Sequence, residues 1–447
     1  MVVKIMQSIH DIIPSELLSE ITPHLIGNNQ ALRSLSLVSR QWAPAAQKYL
    51  FSSMTVRSES IKHNPNDRLA FLQNAPRFAS YVTHLTVVEM HSCDGIDSRE
   101  EWDKLLCQLL PLFGNIKRLS LQWAQGTWWP NSFVPILESN LQCFESFKAL
   151  FRSPKITHVD FTRVPISWIQ YLSPRVKFIG VLDPVIDRYV NEEASGVDDA
   201  NNRELLSHIR PYILLIDGLE WASCSLVGEA VKWLMHSGLD VTNLRKLGLG
   251  LISAPHESHK SVMALLTACS GSLKELSLTP SFAAYVPAKD DFTDVIDLSV
   301  LRKLRLLHIG AQAGMVQNLV EVEPMQWLLP QLKRFPRTNR LQYLIFGCEY
   351  TVYETVSSQA YFGLNFSSYN VLDSEVLTSA RFPKLKYFTN YIEDPQGIPA
   401  HKLRMWIFKS LLPYTLRMSS RNLFLHHFGG SYRKTVFPAD VPWSTVY

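Results

Sequence analysis

The chain has 447 residues, of which 46% are hydrophobic and 19% charged. That length excludes a single compact globule, so two or more units or an elongated array are expected. With 44 Lys and Arg against 40 Asp and Glu the net charge is only +4, too dilute a field to indicate a dedicated nucleic-acid binder.

The first residues, MVVKIMQSIHDIIP, hold neither a signal-type apolar core nor a small-residue cleavage site. No run in the chain nears the roughly 20 apolar residues of a membrane span. A soluble chain of the cytoplasm or nucleus, without a membrane partner, is expected. Cysteines at 93, 107, 143, 224, 269 and 348 form no C-x-x-C pair, as suits small buried residues in a reducing compartment.

Residues 13 to 51 have helical apolar spacing. Leu17, Leu18, Ile21 and Leu25 form one stripe, started by Pro14, Ser15 and Glu16 and ended by Gly27, Asn28 and Asn29. Pro23 predicts a kink or stop near Thr22, since an interior proline deletes a backbone hydrogen bond and costs roughly 3 kcal/mol. Leu32, Leu35, Val38 and Trp42 form a second stripe, which Pro44 should end or restart at Ala43. A third short helix over 45–51 closes a three-helix unit too small to bury all these side chains by itself. The surplus predicts docking, with an ordinary helical cap on the following array as the plainer alternative.

The runs Ile13-Pro14-x-Glu16-Leu17-Leu18 and Leu35-Ser36-Leu37-Val38-Ser39-Arg40-x-Trp42 resemble the F-box family, in particular its fungal members. The resemblance covers about a tenth of the chain and implies an F-box domain over residues 10–55. In that family the box inserts its apolar face into the Skp-type adaptor of a cullin-RING ubiquitin ligase, a helix-in-groove contact. Carried over, the adaptor-binding residues are Pro14, Leu17, Leu18, Ile21, Leu25, Leu35, Val38 and Trp42.

From residue 82 onward a six-residue phrase recurs, apolar at its first, fourth and usually sixth positions, as in VTHLTV, IKRLSL, ITHVDF, VKFIGV, LRKLGL, LKELSL and LRLLHI. LQYLIF, LKYFTN and a possible buried strand over 212–216, with Leu215 in the fourth position, are weaker copies. Stretches able to form helices, such as 102–112, 226–236 and 261–269, lie between them. The predicted fold is α/β, with parallel strands along a concave wall and helices outside, because each strand-helix pair needs its neighbours to cover its apolar face. The phrase resembles the degenerate leucine-rich repeats common behind fungal F-boxes. That implies an irregular leucine-rich-repeat solenoid over 56–391, with 392–447 as a capping segment. A doubly wound α/β sheet fits the same spacing. Residues 183–203 read as an acidic loop or insertion.

Third and fifth phrase positions should face the concave surface. Candidate substrate contacts there are Arg118, His158, Phe178, Lys246, His308, Tyr343 and Tyr387. Position two is often basic (Lys117, Lys177, Arg245, Lys274, Arg305, Lys386). Solvated strand ends explain this, and a rim drawing an acidic or phosphorylated segment would too.

No G-x-S-x-G elbow, phosphate loop or dinucleotide glycine pattern occurs. His256-Glu257-Ser258-His259 lacks the i, i+4 histidines of a metalloprotease helix, and Asp290, Asp291, Asp294 and Asp297 lack a calcium loop's alternation. His426 and His427 read as surface or core residues, and Trp123, Trp128 and Trp129 as a packed loop, with a recognition patch as the alternative. No cofactor, metal or catalytic centre is expected. The expectation is a non-catalytic substrate-receptor subunit of a Skp/cullin/F-box ubiquitin ligase holding an unknown protein target. The rivals are a protein-binding repeat scaffold outside a ligase and an enzyme on a divergent α/β core.

Overall fold

The computed structural model describes residues 17, 20–25, 27–38, 42–58, 65–89, 96–123, 141–186, 206–217, 224–252, 256–280, 296–316, 319–320, 324–352 and 380–393. They form an α/β fold whose chain clusters into two compact units. The first runs to Val181 and includes 187–189; the second holds the rest. The helices from residues 10–55 thus belong to the first unit, and the proposed capping segment falls outside the described residues after 393.

In the first unit Leu17, Glu20 and Ile21 are helical, and a 3-10 turn, Thr22–Leu25, follows at once. This is the stop that Pro23 predicts, because its nitrogen has no hydrogen to give to the preceding turn. Gly27 takes φ +93°, a left-handed conformation that glycine adopts without Cβ strain. Asn28 Oδ1 then accepts from the Ala31 backbone N–H at 2.9 Å, capping helix α1, Asn29–Val38.

Helix α2 is Trp42–Leu50. Pro44 therefore sits in its first turn, where no helical backbone bond is lost. The restart lies slightly before the expected Ala43, and Trp42 opens α2 instead of closing the stripe of α1. These helices pack together, with Leu32, Trp42 and Ala46 buried. Beyond α2, the Phe51 ring lies 6.0 Å from Phe71 of α3, Pro65–Asn74, and 4.5 Å from Phe78 of α4, Pro76–Tyr81.

Strands β1, Ser53–Arg57, β2, His84–Glu89, β3, Arg118–Trp123, and β4, His158–Thr162, lie side by side in chain order and run parallel. Strand β5, Phe178–Leu182, adjoins β4. Helix α5, Ile96–Leu109, connects β2 to β3, and α6, Leu141–Phe151, connects β3 to β4. Between β4 and β5 the link shrinks to a 3-10 turn, Ile166–Tyr171. There Trp168 packs 5.6 Å from Trp123 and 5.7 Å from Phe151, aromatic bulk filling the place of a longer helix.

The second unit opens with β6, Ile213–Asp217, α7, Cys224–His236, β7, Lys246–Ile252, α8, His256–Cys269, and β8, Glu275–Pro280. It continues with β9, Leu306–Val316, the short antiparallel β10, Leu319–Val320, α9, Pro324–Arg334, β11, Tyr343–Val352, and β12, Tyr387–Glu393. Apart from β10, neighbours are again parallel and follow chain order.

Every phrase copy falls on a strand, and the register explains the phrase. Leu214, Leu247, Leu276, Leu307, Leu344 and Phe388 are successive register partners, and all are buried. Leu85, Leu119 and Val159 form the same column in the first unit. Burying each such side chain contributes about 1.5–3 kcal/mol. One position differs from expectation. In β6 the column residue is Leu214, not Leu215, and a one-residue offset moves Leu215 to the opposite face.

Candidate functional site

Three surfaces carry chemistry, and the N-terminal helices form the first. Leu17 is 46% exposed, Ile21 42% and Leu37 85%. Leu25 and Leu35 are half-buried. Trp42 is buried, so it is a core residue of the helical pair rather than a free anchor. Pro14 and Leu18 lie outside the described residues, as does the side chain of Val38. Leu37 is absent from the sequence-derived anchors because it falls off the helical stripe; an apolar residue on the polar side of a helix was the available signal.

The second surface is the face of the first-unit sheet that carries third and fifth phrase positions. His84, Arg118 and His158 are register partners on β2, β3 and β4, and the His158 ring stacks on Phe178 of β5 at 5.6 Å. The Arg118 guanidinium donates through Nε and Nη2 to Asp160 Oδ2 at 3.1 and 3.0 Å. Burial, reinforced by the Arg118 charge, holds both imidazoles below the ordinary histidine value and so neutral at pH 7. Burial also lifts the Asp160 carboxyl against the pull of Arg118. Gly180 fits beneath this pair: a Cβ there would stand 2.6 Å from Asp160 Oδ1.

The equivalent face of the second unit repeats this design with other residues. Lys246 pairs with Glu275 across β7 and β8 at 2.9 Å. Leu215, Leu306 and Tyr343 pack together, and Tyr343 stacks on Tyr387 at 5.1 Å with rings 4° apart. His308 lies 2.8 Å from Ser277 Oγ, and burial pushes its pKa down to about 4. Gly248 leaves room for Leu215, whose Cδ2 would be 2.6 Å from a Cβ. Of the predicted contacts, Arg118, His158, Tyr343 and Tyr387 remain accessible. Phe178 and His308 are buried and support the face from below, because neighbouring strands stand close enough to cover them. Lys246 is half-buried and spent on Glu275.

The third surface is the row at the start of each strand. A position-two carbonyl accepts two backbone N–H bonds from the next strand, as when Arg305 N and Leu306 N donate to Lys274 O at 2.7 and 3.1 Å. The row in the second unit runs Tyr212, Arg245, Lys274, Arg305, Gln342, Lys386. The Arg245 guanidinium lies over the Tyr212 ring at 5.1 Å.

Among the described cysteines burial disfavours the thiolate. Cys143 and Cys269 are buried, and burial pushes the Cys143 thiol well up and that of Cys269 up to about 12. Among the described residues no group of three or more His, Cys, Asp or Glu could hold a metal ion, and no helix is long and apolar enough to cross a membrane. Trp123 is packed, as expected. The side chains of His256 and His259, the run 290–294, Trp128, Trp129, His426 and His427 lie outside the described residues. What the surfaces offer is apolar docking, ring stacking, hydrogen bonding and a line of cations. No family model matches the chain, and no curated protein matches it as a relative.

Proposed function

We propose that the chain is a non-catalytic substrate receptor of a Skp/cullin/F-box ubiquitin ligase, working in the cytoplasm or nucleus. The N-terminal helices would dock the adaptor, and the parallel-strand region, read as an irregular leucine-rich-repeat solenoid, would hold a target protein. Such a subunit accelerates ubiquitin transfer by raising the target's effective concentration near the ligase's catalytic partners.

The observation that carries the reading is the exposure of Leu17, Ile21 and Leu37 on the helices that bear the F-box resemblance. Large apolar side chains left in water on so small a helical element are what a helix-in-groove partner would cover. Self-satisfied pairs on the sheet faces, such as Arg118 with Asp160, suit recognition by shape and hydrogen bonding.

The test is capture of purified Skp-type adaptor by the full chain, beside Leu17→Asp/Leu37→Asp. Both positions are exposed, so the variant should fold and lose adaptor binding by roughly a hundredfold or more, since hot-spot truncations reach 2 kcal/mol and above and a buried charge adds to that. Absence of capture by the folded wild type would leave the repeat region as a scaffold outside a ligase.

A further inference from the structure

The row at the strand starts of the second unit has a charge pattern that the proposed function does not use. Arg245, Lys274, Arg305 and Lys386 occupy four of its positions, on β7, β8, β9 and β12, with Gln342 between the last two. All are exposed except Lys274, which is half-buried. The turns leading into β9, β11 and β12 add Arg302, Lys303, Arg340 and Lys384, all exposed. Because the strands are parallel, these turns lie at the same end of the sheet.

Nothing described there neutralises them. Described residues in 298–347 and 380–390 include no Asp or Glu. The described carboxylates of the adjoining segments are engaged elsewhere: Asp240 pairs with Arg210 at 2.8 Å, Glu275 with Lys246 at 2.9 Å, and Asp297 accepts from Ser299 N. Among the described residues no ion pair involves Arg245, Lys274, Arg305 or Lys386. The matching row of the first unit runs Ser52, Thr83, Lys117, Thr157, Lys177, with two cations against four and those two separated.

We infer that this rim binds an extended, Asp/Glu-rich segment of a protein partner laid across the strand starts. The inference rests on the reading of the strand region as the partner-binding part and names the class of segment it takes. Neighbouring strands are about 4.8 Å apart, so the row from Arg245 to Lys386 spans about 19 Å, the length of about six residues of extended chain. The cations are spread along that line rather than gathered at a point. A spread line matches a run of carboxylates, whereas a single phosphoryl group calls for convergent donors. A nucleic-acid strand would engage the chain's basic surface broadly, and a net charge of +4 over 447 residues does not supply one.

The test uses the full-length chain and a fluorescein-labelled peptide with about six consecutive glutamates, a length set by the row itself. The glutamate peptide should bind, weaken with added salt, and exceed its glutamine counterpart by roughly tenfold or more. Lys274→Glu/Arg305→Glu should lose that binding, while Lys117→Glu/Lys177→Glu in the first unit should keep it. Thermal unfolding of each variant verifies folding, and Lys274→Gln/Arg305→Gln should give an intermediate loss without charge reversal.

Equal binding of the glutamine peptide, an unchanged Lys274→Glu/Arg305→Glu variant, or tighter binding of a singly phosphorylated peptide or of oligouridine would each overturn the inference. Adaptor capture is measured on the same samples. Its persistence when peptide binding fails overturns the rim alone, and its failure while the peptide still binds overturns the ligase reading instead.

Discussion

His308 joins local chemistry to the stability of the second unit. It stands in the fifth phrase position of β9 and is buried within 2.8 Å of Ser277 Oγ. Burial holds its pKa near 4, whereas an unfolded histidine titrates near 6.5. Between those values the unfolded chain carries more protons than the folded one, so stability is complete above about pH 6.5 and is lost as pH falls toward 4, by up to about 3 kcal/mol. Urea unfolding at pH 7 and pH 4.5 should therefore show a larger acid loss in the wild type than in His308→Gln. Identical slopes would assign the acid sensitivity to other groups. The same burial explains why a residue that looks available for recognition in the strand pattern instead supports the face from beneath.

The elements show where a one-dimensional pattern carries the fold and where it stops. The phrase locates strands because its fourth position is one buried column through successive strands, and only apolar side chains fit there. It misplaces β6 by one residue, since Tyr212-Ile213-Leu214-Leu215-Ile216 is apolar at every position and lacks the alternation that fixes a face. It does not reach β1, whose SMTVR has too little apolar content. The N-terminal stops are legible in Pro23 and Gly27, but the cap made by Asn28 is not, because a residue that ends one helix can also begin the next. On the N-terminal helices the exposed Leu37 escapes the stripe, and the glycines under Asp160 and Leu215 become meaningful only once neighbouring strands are in register. The Asn28 cap is testable. Asn28→Ala removes the acceptor for Ala31 N–H and should destabilise α1 by about 1 kcal/mol, whereas Asn28→Asp should retain most of it. Equal loss in both variants, followed by thermal unfolding, would count against the cap.

At the scale of the molecule the governing fact is that within each unit, β10 apart, the described strands pair in chain order. In the second unit β7 meets β6 and β8, and β8 meets β7 and β9. The core is therefore a sum of adjacent interfaces, and in such an array a defect is felt mainly by the neighbours. Leu119 and Leu276 hold the same column position, Leu119 between Leu85 and Val159 and Leu276 between Leu247 and Leu307. Both are fully buried, so replacing either by alanine should cost about 2–5 kcal/mol locally. Hydrogen exchange read by mass spectrometry should show Leu119→Ala releasing amides of β2, β3 and β4 while β7, β8 and β9 stay as protected as in the wild type, and Leu276→Ala should give the reverse. Spread of either effect through both sets of strands would mean that the array opens as one cooperative unit. The two units would then be coupled by unfolding, rather than opening separately.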